Sequence, residues 1–545
     1  MLVAVRSAAS LYRLLDVLPV FEGDGRIAVR FTLVPGSAFD VDALAALERS
    51  GARTLSWAQA LGRKHDLILG AAPKGELRSL SGPRVVLPHG AGFNKALPQE
   101  GSPLLPSGLD PHYLLPGGEP LADLHVLAHD EQLARLAAHC PPAAARAAVV
   151  GDPTLDRLTA SLPRREDYRR ALGTGPRRLV VLTSTWGPES LLARRPELAV
   201  ELAQGLPHDA YQPALVVHPN EYSRSGPFEL TRRLAPALAA GLVLARPHEE
   251  WAALLVAADA VVTDHGSTAL YAAALGRPVI GAYDGGRELI PGSPLAELLA
   301  RAPRLHPGAG AKGLVAALEA AGQLDAGEFA HRAFARQPAL PRLREELYRL
   351  LGLPPGRTPV AARPLPAPRT PSRPAAAFAV RAEVAGVRVA ITRFPAAGPE
   401  PAHHLAAEHP PADPRLLHSA AVLWRRARPA AAPHASGWTA AGWTAHVFAQ
   451  APGCRTAAAV LDAGRVLVRH RSAGLLSVRV APSLVEGRVL RCDPAAAVSA
   501  VHAWLAAGGR TPEAADWVSL VCEVGGLRVG VEVGRAREAD LDYEV

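Results

Sequence analysis

Twice before residue 353 the chain repeats one rhythm: a short β-type apolar run, a polar corner, then a run of helical period. That alternation constrains the fold more than any other feature, because strands that alternate with helices build a parallel sheet covered by helices. From Met1 to Asp152 it predicts strands at LVAV, IAVRFTLV, HDLILGAA, RVVLPHG, LHVLAHD and AAVVGD, with helices at SAASLYRLLDVL, VDALAALERSG and DEQLARLAAHC. From Pro153 to Leu353 the rhythm restarts. Strands are predicted at RRLVVLTST, QPALVVHP, GLVLARP, DAVVTDHG and PVIGAYDG, and helices begin near Glu189, Glu229, Glu249, Ser267 and Pro294. The final helix-like stretch, FAHRAFARQPALPRLREELYRLLG, is long enough to cross back over the first half. Two Rossmann-like α/β halves in series, 1–152 and 153–353, predict a cleft between them.

Residues 354–374 hold eight prolines and no acid, which reads as an extended linker. Beyond it, from 375 to 545, the texture changes to hairpins. FAVRAEVAGVRVAITRF turns at Ala385-Gly386, TAAAVLDAGRVLVRH at Asp462-Ala463-Gly464, and WVSLVCEVGGLRVGVEV at Gly525-Gly526. One helix-like stretch, DPAAAVSAVHAWLAAGG, interrupts them, so an α+β, mostly β, module is expected. The echo GWTAAGWTA, Gly437 to Ala445, reads as core or edge packing rather than as an aromatic surface.

A chain of 545 residues exceeds one compact core. With 49% hydrophobic and 20% charged residues it is neither disordered nor fibrous. The net charge of +8 comes from Arg scattered among Ala, Pro and acids, so no specific nucleic-acid binding is expected. Cys140, Cys454, Cys492 and Cys522 lie far apart without metal or redox spacing, as for thiols in a reducing compartment. Arg6, Arg13 and Asp16 interrupt the N-terminal apolar run, and nowhere do about 18 apolar residues run together. A cytoplasmic protein is expected, with any membrane contact peripheral.

In open parallel sheets ligands bind beyond the carboxyl ends of the strands, so the polar corners are the candidate sites. In VVTDHGSTALYAAALG, Gly266 allows a tight turn and Ser267 and Thr268 open a small-residue helix, where unpaired N–H groups favour a phosphate; simple helix capping by Ser267 is the alternative. In VVLTSTWGPES, Thr183, Ser184 and Thr185 offer hydroxyls and Trp186 a pocket wall, or else a capped helix with a packed indole. In ALVVHPNEY, His218 ends a strand, placed to donate to a phosphate. In RVVLPHGAGFNKA, His89 is a candidate general base, followed by Gly90, Gly92 and the cation Lys95.

Taken in order, PHG (Pro88 to Gly90), GDPTLDRL, LTSTWG, His218-Pro219 and VVTDHGSTALYAAALGRPVI resemble the CDP-glycerol glycerophosphotransferase family, the teichoic-acid primases and polymerases, over about residues 85–283. The resemblance implies a GT-B fold and a transferase that binds a nucleotide-diphosphate donor in the second half and a hydroxyl acceptor in the first. By position it makes His89 the base and gives His218, Ser267 and Thr268 the donor phosphates. It implies no bound cofactor and no metal, because the nucleotide-activated donor is the substrate, and places the chain in cell-envelope or glycoconjugate synthesis. This sequence departs from the family pattern at Pro88 (an aromatic there), Lys95 (one residue further from His89), Gly187 (an Arg) and His265-Gly266 (Tyr-Ser), and it has Tyr271 and Ala272 in the region of an acid. The ending ALGRPVI is similar to GT-B glycosyltransferases and UDP-N-acetylglucosamine 2-epimerases, although the epimerase Ser-Gly-Gly and Gln-Glu-Glu pattern is missing. A GT-B-like scaffold without catalysis is the reading from a different class.

Overall fold

The structure is a computed structural model that describes all residues except 37–39, 89, 97–104, 248–249, 370–373, 399, 428–436 and 514–515, and only the backbone of 40–42. The first sheet has seven parallel strands, in the spatial order Thr54–Leu55, Arg30–Leu33, Leu2–Val5, Ile68–Gly70, Arg84–Val86, Leu124–Leu127, Ala147–Val149. All six predicted strands are there. The added edge strand Thr54–Leu55 is two residues long, too short to show any periodicity. The second sheet has five parallel strands, ordered Val243–Leu244, Tyr211–Val217, Arg178–Ser184, Ala260–Thr263, Val279–Gly281. In both sheets the strand order reverses beside the first strand, which opens a crevice at the carboxyl ends.

Two expectations about elements are corrected and one is extended. The helix expected near Glu229 follows a break at Gly226-Pro227, and a helical stretch from Pro219, capped by His218, precedes it within Pro219–Ala239. That stretch, PNEYSRSG, carries too few apolar residues to show a helical period. The stretch 329–352 is two helices, Gly327–Ala333 and Ala339–Leu351. Pro338 disfavours helical geometry at Gln337 and forces the break. The second of these helices packs Leu340, Leu343, Leu347 and Tyr348 with Val3, Leu11 and Leu14, so the chain does return to the first half. Residues 354–369 lack regular structure but are docked against the body. Leu365 is buried, donates its N–H to Ser161 Oγ at 2.9 Å, and accepts from Arg164 at 2.9 Å and Tyr168 at 2.7 Å.

The C-terminal module is a closed nine-stranded barrel: Ala377–Ala385, Arg388–Pro395, Trp517–Val524, Leu527–Arg535, Gly474–Val480, Arg465–His470, Thr456–Val460, Val422–Arg426 and His404–Glu408, which pairs back to the first. The three predicted hairpins are present. The helix Pro494–Ala506 threads the barrel, and Ala495, Ala497, Val498 and Val501 pack against Val380, Val422, Val468 and Val531. A helix apolar on every face must be enclosed, and the alanines let nine strands close around it. Trp443 is core, whereas Trp438 is 41% exposed and stacks on His446 at 4.7 Å. No helix among the described residues is long and apolar enough to cross a membrane.

Candidate functional site

The corners after the first and fourth strands of the second sheet lie side by side, because Arg178–Ser184 pairs with Ala260–Thr263 in the register Thr183↔Thr263. Asp264 fixes both. Fully buried, it accepts the N–H groups of Thr185 and Leu191 at 2.8 Å each and of Gly266 at 3.0 Å. Burial pushes its carboxyl above the ordinary range, against the pull of His265 and of those N–H donors. The Ser184 hydroxyl accepts from Leu192 N at 3.1 Å, so this predicted phosphate ligand holds a helix start. Ser267 is the N-cap of Thr268–Ala274, yet its side chain makes no capping bond, and the capping alternative is corrected. That helix is seven residues long, so its dipole is modest and any anion there depends on hydroxyls and local N–H groups.

Gly90 of the first half comes directly onto Ser267. A Cβ on Gly90 would stand 2.8 Å from Ser267 Oγ, and the backbone φ of +99° already favours glycine. His218 caps its helix by accepting Asn220 N–H on Nδ1 at 3.1 Å, so in the neutral ring the proton sits on Nε2. His89 lies outside the described residues; its neighbours Pro88 and Gly90 line the cavity.

Lys95, expected to meet a substrate anion, is paired with Glu288 at 2.7 Å and reaches Thr185 Oγ1 at 3.5 Å. The same Glu288 oxygen accepts from His265 Nε2 at 2.9 Å, which places the histidine that departs from the family pattern. Burial raises the Glu288 carboxyl, but His265 and Lys95 outweigh it, and the net shift is downward. Beside this cluster the two halves are joined by Ala96 N to Glu288 O at 2.7 Å and Ile290 N to Asn94 O at 3.0 Å.

Beside the cavity a buried polar network crosses from one half to the other. Arg13 grips Asp152 with two bonds of 2.7 and 2.9 Å, and Tyr271 OH donates to Asp152 at 3.0 Å. Arg13 also donates to Thr154 Oγ1 at 2.7 Å, and Thr154 in turn donates to Asp16 at 2.6 Å. Burial pushes Asp16 upward despite Arg157, and it pushes the Tyr271 hydroxyl well above its usual value.

The structure gathers the described candidates around one cavity of about 810 Å³: Gly90, Lys95, Ser184, Thr185, His218, Gly266, Ser267 and Thr268 all line it. Residues from both halves and from the segment 354–369, including Leu365 and Arg369, form its wall. Sequence reasoning missed Asp264, Glu288, Arg13 and Asp152. Asp264 had a signal, since an acid directly after an apolar strand must find donors if buried. Glu288 had none, because its partner Lys95 lies in the other half. Among the described residues no group of three or more His, Cys, Asp and Glu side chains is placed to hold a metal ion.

No protein-family model matches the chain, and no curated protein matches it in sequence. Solved structures do resemble it. The wall teichoic acid polymerase TagF aligns at 12% identity and TM-score 0.45, over 65% of this chain and 89% of that one. The UDP-GlcNAc 2-epimerase from Neisseria meningitidis bound to UDP-GlcNAc aligns at 12% identity and TM-score 0.42, over 64% and 98%. The S. aureus MnaA–UDP complex aligns at 11% identity and TM-score 0.44, over 66% and 98%.

Proposed function

We propose that this chain transfers a group from a nucleotide-diphosphate donor, CDP-glycerol-like or a nucleotide sugar, to a hydroxyl acceptor in cell-envelope or glycoconjugate synthesis. The observation that carries the reading is the meeting of Gly90 with Ser267 in one cavity lined by residues of both halves. Donor phosphates sit against Ser267, Thr268 and Thr185, and the Nε2 proton of His218 is donated to a phosphate oxygen as charge builds on it. His89 is assigned the acceptor proton on its place between Pro88 and Gly90 and on the motif resemblance. Holding donor and acceptor together supplies much of the rate.

A thermal-shift panel of CTP, CDP-glycerol and UDP-sugars on wild type and Ser267→Ala tests this. Ligand at ten times Kd is worth about 1.4 kcal/mol, roughly 3–5 °C for a unit of this size. Ser267→Ala is expected to keep the unliganded Tm within about 1 °C, since no cap is lost, and to lose at least about half of the shift. A second reading, a binding scaffold without transfer, is favoured by the pairing of Lys95 with Glu288, which neutralises a cation the reaction would use. Nucleotide binding without turnover would support it; no response to any nucleotide would sink the transferase.

A further inference from the structure

Arg13, Asp152 and Tyr271 are 5%, 2% and 2% exposed, and they link the two halves beside the cavity, which Arg13 and Tyr271 line. Arg13 stands on the helix Ala8–Val17 and Tyr271 on Thr268–Ala274, the helix that Ser267 begins. Between them Asp152 caps Pro153–Ala160 by accepting Leu155 N–H at 2.9 Å. A third donor of Arg13, Nε, is given to the carbonyl of Pro88 at 3.1 Å. One guanidinium therefore holds the backbone just before His89 and, through one carboxylate, the helix that begins at Ser267.

Arg13 offers a rigid fork to Asp152 and a separate N–H to Pro88, so one planar group holds both contacts at once. The Tyr271 ring is locked by Phe334 at 4.9 Å and Trp251 at 5.8 Å, which leaves its hydroxyl little freedom. We propose that Arg13, Asp152 and Tyr271 are positioning residues that set the relative placement of the corner marked by Pro88 and Gly90 and the Ser267–Thr268 corner. Occupancy of one corner is thereby felt at the other. Donor binding in that cavity rests on the functional reading above; the mechanical coupling does not.

The test uses the full chain and Tyr271→Phe, which keeps the ring packing and removes one hydroxyl, with Arg13→Lys as a second variant that keeps charge and loses the fork. Hydrogen exchange of peptides containing Ala96 and Ile290, whose N–H groups bridge the halves, is read without ligand. Tyr271→Phe is expected to raise exchange there about fivefold or more, with amides inside each sheet unchanged. In the nucleotide panel the same variant is expected to lose at least about half of the wild-type shift with little change in unliganded Tm. If the bridging amides exchange as in wild type, or if exchange rises equally throughout the second half, the hydroxyl merely stabilises the fold and the proposal is overturned. A wild type silent to every nucleotide defeats the transferase reading alone, because the exchange experiment still decides the coupling.

Discussion

Asp264 shows how a single side chain decides the geometry of a site without facing a ligand. It gathers three N–H groups from the two corners. Asp264→Ala strands those buried donors and is expected to cost about 3 kcal/mol or more, seen as a lower Tm of the second half in calorimetry. Ser267→Ala, by contrast, should leave stability unchanged, because its hydroxyl serves neither cap nor core. A residue quoted for its chemistry and a residue quoted for its architecture thus give opposite signatures, although they lie three positions apart.

Among the elements, the return helix Ala339–Leu351 carries the clearest dependence on a partner. Its N-terminal N–H groups at Ala339 and Leu340 are capped by Asp156 of another helix, at 2.7 and 3.0 Å. Burial lifts the Asp156 carboxyl to about 6, and the two N–H donors only partly oppose this. The folded state therefore holds this proton more tightly than the unfolded chain, whose Asp titrates near 3.9. The contribution is complete below that value and is lost as pH rises through about 6. Asp156→Asn keeps an acceptor and cannot ionise. Its stability should match wild type near pH 4 and exceed it above pH 6, by under about 1 kcal/mol after solvent screening, read as a higher Tm. A constant difference across that range would defeat the assignment.

At the scale of the whole molecule, the barrel is fastened to the second half by one buried cation. Arg393 is 1% exposed, donates to Asp209 at 2.8 and 2.6 Å and to Asp493 at 3.0 Å, and lies over Phe378 at 4.4 Å. Arg393→Leu leaves Asp209 without this partner in a partly dry interface, expected to cost about 3–5 kcal/mol. The expected result is a calorimetric trace in which the barrel unfolds apart from the α/β halves; one unchanged transition would show that docking does not depend on Arg393. The segment 354–369 adds a wall to the cavity that neither half supplies, since Leu365 and Arg369 lie along it.

The alternation of apolar runs and helical periods determined both parallel sheets, because strand and helix periods are local and each strand buries both faces. The polar corners were legible for the same reason: an apolar run that ends in His, Ser or Thr at a strand tip leaves those groups where two sheets open. Whether each corner residue faces the cavity or the backbone was not legible. Ser184 spends its hydroxyl on Leu192, Lys95 spends its charge on Glu288, and Tyr271 reaches across to Asp152. The last two pairings join residues more than a hundred positions apart, so no local period records them. The barrel follows the same division. Its hairpins are written in adjacent residues, but the pairings between hairpins that complete it, and the helix enclosed within, are choices that only the folded chain makes by burying an apolar helix on every side.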